Sequence, residues 1–511
     1  MSTANRVIKN TGYLYAKMAI TMFISLAITR MILNSLGAAD FGVFQVVGGS
    51  IAMLGFLNAA MASATQRFMS YSEGEGDREK QKRIFNVSLV LHFALSFVVC
   101  AALIGAGWFF FHGILNLPEG RTEAAEVVYG SLIVSTMFTV MSVPYAAMLN
   151  AHENMLYYSV VGILESLLKL AVAFATVYTL HDKLIVYGVL MACVPLVSLT
   201  VMRVYCHKHY KECVFAPRKY WDKGLMKEMT SFAGWNLMGT FGAVVGNHGN
   251  GIVVNSFFGT LLNAALGVAN QLNGMLLVFA NNMIKAFNPV IVKKEGEGDH
   301  RRMMEYAYTG CKMSFMLFAF FCLPCIVEAP FVLQLWLKNI PDWAVLFLRY
   351  QIFRTLLEQT TGAMTIALNA TGKIRGVSVS GFVLNLLPIF VLWMAFSHGA
   401  SPHWYYPIVI FIMVIMTTVV KLYYCRKHCA LSVWHFVRRV IIPCIVTGLA
   451  VVAVGQAAGM FMREGLARLV VCFCVMSAAF LPLAYYYIMN KEERLIVVRL
   501  TDKLKSKLHK S

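Results

Sequence analysis

The sequence predicts an all-α integral membrane protein of about 14 transmembrane helices, arranged as two pseudo-symmetric six-helix bundles followed by two additional helices. Three observations carry this. The 511-residue chain is 59% hydrophobic and only 14% charged, with a mean hydropathy of +0.65. A soluble protein of this size has no way to hide so much apolar surface from water, so lipid is the solvent for most of it. The apolar residues fall in runs of about 20, the length that crosses roughly 30 Å of hydrocarbon. The chain also repeats itself. Glu73-Gly74-Glu75-Gly76-Asp77 returns as Glu295-Gly296-Glu297-Gly298-Asp299, a shift of 222 in the numbering (73 to 295). Leu149-Asn150-Ala151 returns as Leu368-Asn369-Ala370, and Tyr205-Cys206-His207-Lys208-His209 as Tyr424-Cys425-Arg426-Lys427-His428, each at a shift of 219 (149 to 368, 205 to 424). Three matches in one order at nearly one spacing indicate a duplicated half.

Taken in order, the apolar runs lie near 11–34, 41–64, 86–112, 125–148, 156–180, 184–204, 230–256, 262–285, 305–328, 344–369, 376–397, 404–424, 437–459 and 467–489. The first follows Arg6 and Lys9 and is too long for a cleaved signal peptide. The run 376–397 contains Pro388, which membrane helices tolerate where neighbours satisfy the freed backbone groups. The repeat then sets the organisation: a six-helix bundle over 1–210, a basic linker over 211–228, a second bundle over 229–428, and two further spans with a basic tail over 429–511. Six spans return the chain to its starting side, so the two copies run parallel. Two such halves with a site between them is a recurrent transporter plan.

Loop charge orients the spans. Arg67, Arg78, Lys80, Lys82 and Arg83 lie between the second and third, and Lys208, Lys211, Arg218, Lys219, Lys223 and Lys227 between the sixth and seventh. Lys293, Lys294, Arg301 and Arg302 precede the ninth, Arg426, Lys427, Arg438 and Arg439 precede the thirteenth, and the tail adds Lys491, Arg494, Arg499, Lys503, Lys505, Lys507 and Lys510. The alternate loops are poor in such residues: 35–40 and 257–261 have none, 113–124 has Arg121 and 329–343 has Lys338. This places both termini in the cytoplasm and requires an even number of spans. The net charge of +19 therefore belongs to short loops on one side of a membrane, with no basic groove for nucleic acid. Trp108, Trp235, Trp336, Trp343, Trp393, Trp404 and Trp434 fall near span ends, where an amphipathic ring prefers the headgroup layer. In the Glu-Gly-Glu-Gly-Asp segments the glycines read as turn residues, and the acids as partners for adjacent Arg and Lys. Cys322 and Cys325 form a C-x-x-C inside an apolar run with no His or second Cys pair beside it, so they read as small packing residues.

The stretch Arg30-Met31-Ile32-Leu33-Asn34-Ser35-Leu36-Gly37-Ala38-Ala39-Asp40-Phe41-Gly42-Val43-Phe44, with Asn58-Ala59-Ala60-Met61-Ala62-Ser63-Ala64 running to Arg67, resembles the first-loop signature of polysaccharide transporters. These belong to the multidrug, oligosaccharidyl-lipid and polysaccharide (MOP) exporter superfamily. The resemblance implies a MATE-like fold and a Wzx-type flippase of the bacterial plasma membrane. Such a protein moves an undecaprenyl-pyrophosphate-linked oligosaccharide between leaflets by alternating access, for O-antigen, capsule or exopolysaccharide synthesis. The outer loops are short and the longest loops are the basic cytoplasmic ones, which leaves little place for a catalytic site, so no enzymatic activity and no cofactor are expected. Coupling to a proton or a sodium gradient is left open. A polysaccharide polymerase and a chain-length regulator are the partners the resemblance implies, around a functional monomer. A cation-coupled multidrug exporter of the same superfamily is the nearest alternative, ahead of a peptidoglycan-precursor flippase or a membrane polymerase.

Ionisable groups near the bilayer centre cost at least about 2.5 kcal/mol on insertion scales, so they mark cavities or paths. Two pairs qualify: Glu165 with Lys169, and Arg354 with Glu358, each four residues apart and so on one helix face. A shift of 219 sets Arg354 and Glu358 against Ser135 and Thr139, and Glu165 and Lys169 against Leu384 and Pro388. Each pair thus belongs to one copy only. Arg354 and Lys169 are expected to attract pyrophosphate, the guanidinium through its planar fork. Glu165 and Glu358 then balance them or carry coupling protons. The competing reading is an ion pair joining neighbouring helices.

The run Gly246-Asn247-His248-Gly249-Asn250-Gly251 is expected to weaken its helix and expose backbone to a cavity. With Asn270, Gln271 and Asn273 in the next span, its amides suit sugar hydroxyls, which need donors and acceptors. Hydrogen bonding between close-packed helices is the other reading. Lys17 and Arg30, near opposite ends of the first span, either snorkel to the headgroups or join the cavity.

Overall fold

The computed structural model describes residues 3–52, 55–111, 120–337, 340–495 and 498. The loop residues 113–119, Lys338 and the basic tail beyond 498 lie outside the described residues. Among the described residues there is no strand. The first copy contains α1 (Thr3–Ala52), α2 (Gly55–Glu75), α3 (Arg78–Phe109), α4 (Thr122–Ala151), α5 (Met155–Tyr178) and α6 (Lys183–His209). The second contains α7 (Lys223–Gly296), α8 (His300–Val327), α9 (Ala329–Trp336), α10 (Ala344–Gln359), α11 (Gly362–Thr371) and α12 (Arg375–Ser397). It ends with α13 (Pro402–Cys429), and the added helices are α14 (Val433–Met460) and α15 (Leu466–Ile488).

Eleven helical stretches among the described residues are long and apolar enough to cross a membrane. One of them, the 74-residue α7, covers the two runs expected at 230–256 and 262–285. The run at 41–64 is interrupted by residues outside the described set, and the run at 344–369 by the break between α10 and α11. Those three cases account for the distance from 14.

The duplication is written in the backbone as well as in the letters. α3 and α8 start at Arg78 and His300, and α4 and α10 at Thr122 and Ala344, both pairs related by the shift of 222. α1 is kinked at Gly37 (φ 78°, ψ 169°) and α7 at Gly259 (φ 76°, ψ −173°), related by the same shift. That conformation is open essentially to glycine alone. The loops expected at 35–40 and 257–261 are therefore single-residue kinks between helical arms. Gly76 (φ 73°) and Gly298 (φ 74°) close the two Glu-Gly-Glu-Gly-Asp turns in the same left-handed state.

The chain divides into two compact units, Asn5–Thr240 with Val292–Asp299, and Phe241–Ile291 with His300–Ser511. In the first, α4 packs against α2, α3 and α6. Its approach to α3 is close because Gly107 offers the Tyr129 ring a flat face, and the Tyr129 hydroxyl donates to the Leu103 carbonyl at 2.7 Å. Arg121, just before α4, pairs with Asp40 of α1 and at 2.6 Å with Asp182, which caps α6. The one basic residue of that loop thus ties three elements together. In the second unit, α8 packs against α10, α11, α14 and α15. Lys312, midway along α8, holds Glu493 beyond the end of α15 at 2.5 Å, and Glu328, just past the end of α8, holds Arg468 near the start of α15 at 2.8 Å. Glu328 and Glu493 are almost wholly buried, so removing either basic partner strands a charge. The second added helix, α15, is thus tied to α8 at both of its own ends.

Candidate functional site

In the first unit the polar groups gather on one face of α5. Tyr158, Gly162, Glu165 and Lys169 follow helical spacing along it. Lys169 Nζ lies 2.7 Å from Glu165 Oε1, and both side chains are 37% exposed. Lys17 of α1 lays its stem against Gly162, in the space a Cβ would fill, and its ammonium stands 4.6 Å from the centre of the Tyr158 ring. Lys17 therefore packs inward against α5 rather than reaching along its own helix to the headgroups. Arg30 is exposed, several turns further along α1 and on another side of it.

In the second unit Arg354 lies ten residues into α10, about 15 Å from its start at 1.5 Å per residue. Its Nε donates to Glu358 Oε1 at 2.9 Å, and its side chain is only 12% exposed against 36% for Glu358. Both expected charged pairs thus form between residues one turn apart on a single helix. Arg354 Nη2 also reaches Met413 Sδ at 3.8 Å, and Asn250 Nδ2 reaches the same sulfur at 3.9 Å. Met413 sits in a π-helical turn of α13, Ile410–Met416, a local widening that recurs at functional sites. Tyr405, Tyr406 and Lys421 of α13 complete the surroundings: the tyrosines lie near the guanidinium, and Lys421 near the Glu358 carboxylate.

The glycine-rich run behaves differently from the expectation that it weakens its helix. α7 stays helical from Gly246 to Gly251. Glycines there bring α12 close instead: a Cβ on Gly246 would collide with the Asn385 carbonyl oxygen, and one on Gly249 with Ile389 Cδ1. The polar side chains divide into two sets. Asn250 and Asn273 are buried, each with its carbonyl oxygen unpaired, while Asn247, His248, Asn270 and Gln271 are exposed. No hydrogen bond joins any two of these six among the described residues.

Sequence reasoning passed over Lys421, although a cation inside the run 404–424 was a visible signal. It also missed Met413 and its π-helical turn, which leave no mark in composition or periodicity. Around Glu358 stand two cations, Arg354 and Lys421, and along the α5 face Glu165 stands with two more, Lys17 and Lys169. Each cluster carries an excess of one positive charge within a span.

Comparison with known proteins agrees with this architecture. The profile of the polysaccharide biosynthesis protein family matches residues 7–295. A curated relative, the uncharacterized membrane protein EpsK of Bacillus subtilis (strain 168), is 21% identical over 397 residues, covering 75% of this chain and 70% of its own. Among solved structures, a MATE in the bent conformation aligns with a TM-score of 0.72 at 15% identity, over 84% of this chain and 96% of its own. An outward-facing multidrug resistance MATE transporter of the MOP superfamily aligns with a TM-score of 0.71 at 14% identity, over 84% and 97%. A MOP superfamily transporter from Pyrococcus furiosus, described as having a binding pocket of reversed polarity that suggests a different function, aligns with a TM-score of 0.69 at 15% identity, over 84% and 97%. The fold is that of the MOP transporters.

Proposed function

The chain belongs to the polysaccharide biosynthesis protein family, as a multi-pass MOP superfamily transporter, and from that premise we propose that it is a lipid-linked oligosaccharide flippase. Its substrate is an undecaprenyl-pyrophosphate-linked oligosaccharide, carried across the bacterial plasma membrane by alternating access for surface polysaccharide synthesis. Both termini face the cytoplasm, on the side of the basic loops, and a proton or sodium gradient drives the cycle.

The observation that carries this reading is the surplus of positive charge at Arg354, Glu358 and Lys421. A charge held inside a span is expensive unless it has a task, and one carboxylate does not neutralise two cations. A pyrophosphate headgroup supplies the missing negative charge, and the guanidinium fork matches phosphate oxygens in pairs. The exposed amides of Asn247, Asn270 and Gln271 then suit the glycan. The reversed-polarity binding pocket described for a similar MOP superfamily transporter, and taken there to suggest a different function, is in keeping with pocket charge varying on this fold.

The second reading, a cation-coupled multidrug exporter, is favoured by the multidrug transporters among the similar structures. Deleting the gene separates the two. Lipid-linked sugar accumulating on the cytoplasmic leaflet supports the flippase, whereas drug sensitivity with normal surface glycan supports the exporter. Within the flippase reading, Arg354→Gln at unchanged protein level is expected to lower export at least about tenfold, the low end for losing a charge-assisted contact of about 1.5–3 kcal/mol. Unimpaired export would remove Arg354 from the mechanism.

A further inference from the structure

The two Glu-Gly-Glu-Gly-Asp segments meet within the first unit, and they meet symmetrically. A Cβ on Gly74 would collide with the Lys293 carbonyl oxygen, and a Cβ on Gly296 with the Tyr71 carbonyl oxygen. Tyr71 and Gly74 are carried onto Lys293 and Gly296 by the shift of 222 (71 to 293, 74 to 296). A local twofold axis therefore runs between the helix ends, and each backbone touches the other through a glycine.

The turn that follows α4 lies against this crossing. Its Glu153 N–H donates to the Asn150 carbonyl at 2.9 Å, as the Gly372 N–H donates to the Asn369 carbonyl at 3.1 Å at the equivalent place in the second copy. Both residues take the left-handed conformation, with φ of 55° and 75°. The second copy places glycine there, which accepts that backbone freely; the first places a glutamate, for which it is strained. Strain of this kind persists where a side chain is needed.

Glu153 is 7% exposed. Its Oε1 stands 3.3 Å from Arg6 Nη1 of α1, and its Oε2 is buried with no hydrogen-bond partner. The charges that face it come from every neighbouring element: Arg6 from α1, Glu73 from α2, and Lys293 and Glu297 from the end of α7, with His152 beside it in the chain. His152 stacks on Tyr210 and sets Nδ1 3.4 Å from Glu73 Oε1, and Lys293 Nζ lies 3.3 Å from the same oxygen. Glu212, from the segment after α6, approaches the other side of His152, 3.9 Å from Nε2.

We propose that Glu153 is a proton-binding site that holds the two Glu-Gly-Glu-Gly-Asp segments together when occupied and releases them when empty. Ionised, it sets a further carboxylate beside Glu73 and Glu297, one from each segment, with Arg6 and Lys293 to offset them. Protonated, it removes that repulsion, and its O–H gives the buried oxygen a donor's role. The two neighbouring carboxyls behave oppositely. Burial drives the Glu153 carboxyl above the usual range despite Arg6 and Lys293. Burial also raises Glu73, but hydrogen bonds from His152 and Gln81 and the charge of Lys293 outweigh it and hold it at about 2. An arrangement with a raised carboxyl pKa is favoured at low pH and lost as pH rises through that pKa; one with a depressed pKa is lost only as pH falls towards it. Of the two carboxyls, Glu153 is therefore the one that takes up a proton first as pH falls, while Glu73 stays ionised.

The test uses the purified full-length protein without substrate, so its outcome is independent of the flippase reading. Backbone hydrogen exchange of residues 71–76 and 293–298 is followed from about pH 5 to about pH 8 after correction for intrinsic rates. In the wild type, protection of both segments is expected to fall together as pH rises, by up to about tenfold per pH unit for a single linked proton. In Glu153→Gln it is expected to stay high and flat. Should that variant not fold, Glu153→Gly, which copies Gly372, is expected to give the same flat profile. A flat profile in the wild type, or a variant profile that follows the wild type, overturns the proposal.

Discussion

At Gly37 and Gly259, Gly74 and Gly296, and Gly76 and Gly298, the two copies of the repeat carry the same residue in the same setting. Inside the membrane they part. Arg354 and Glu358 fall on Ser135 and Thr139 at the shift of 219, and on Leu132 and Thr136 at the shift of 222 that relates the starts of α4 and α10, while Glu165 and Lys169 fall on Leu384 and Pro388 at the shift of 219. The difference separates two kinds of constraint. A backbone that must turn left-handed or touch another backbone admits one residue type, so both copies keep it. A charged side chain inside a span is not dictated by the backbone, so each copy carries its own arrangement. The two arrangements share only their balance, two cations about one carboxylate.

The strongest way to break this comparison is at the glycine crossing. Gly74→Ala and Gly296→Ala each drive a methyl group into a backbone carbonyl oxygen, and backbone cannot swing aside as a side chain can. Each is expected to cost about 3 kcal/mol, the upper end for overpacking, read as a lowered thermal midpoint in detergent. Near-equal losses at the two positions are the signature of the local twofold. Gly105→Ala in α3, where a Cβ meets nothing within 4 Å, is the control and is expected to gain a few tenths of a kcal/mol from helix propensity. A large loss at Gly74 with none at Gly296 would deny the symmetry.

Much of this was legible in the letters. Repeated Glu-Gly-Glu-Gly-Asp announced the duplication because a backbone requirement fixes residue identity. Apolar runs announced the spans because crossing lipid fixes length. What stayed hidden depends on contacts between distant segments. The turn glycines Gly76 and Gly298 were readable as such, yet nothing in the sequence tells that Gly74 and Gly296 face each other. Glu153 looks like an ordinary loop acid until Gly372 is seen to occupy the same left-handed position. The run from Gly246 to Gly251 was ambiguous for a related reason: glycine both loosens a lone helix and lets a packed one approach its neighbour, and only the position of α12 decides between them.

A smaller effect sharpens the comparison on the side of charge. If the surplus cation at Glu358 serves the cargo, Lys421→Gln leaves Arg354 and Glu358 as a balanced pair and is expected to lower export about tenfold, near 1.4 kcal/mol, with little change in thermal stability. The matching change in the first unit, Lys17→Gln, removes an ammonium from the Tyr158 ring and leaves Glu165 balanced by Lys169. Loss of export in only one of the two variants would assign the cargo's headgroup to one copy and leave the other cluster a structural part.

The smallest expected effect tests the comparison at its one exception, the turn where glutamate in the first copy stands opposite glycine in the second. A residue with a Cβ in the left-handed region costs about 1 kcal/mol relative to glycine. Glu153→Gly is therefore expected to raise stability by about 1 kcal/mol at neutral pH. Losing the Arg6 pair subtracts little, because that guanidinium is 41% exposed and such pairs contribute a fraction of a kcal/mol. The reciprocal change, Gly372→Ala, is expected to lower stability by a similar amount. A thermal midpoint that rises in the first variant while transport falls would show that the first copy keeps its strained glutamate for function. If Glu153→Gly proves less stable than the wild type, the left-handed turn is not strained there, and the asymmetry between the copies at this position has no energetic meaning.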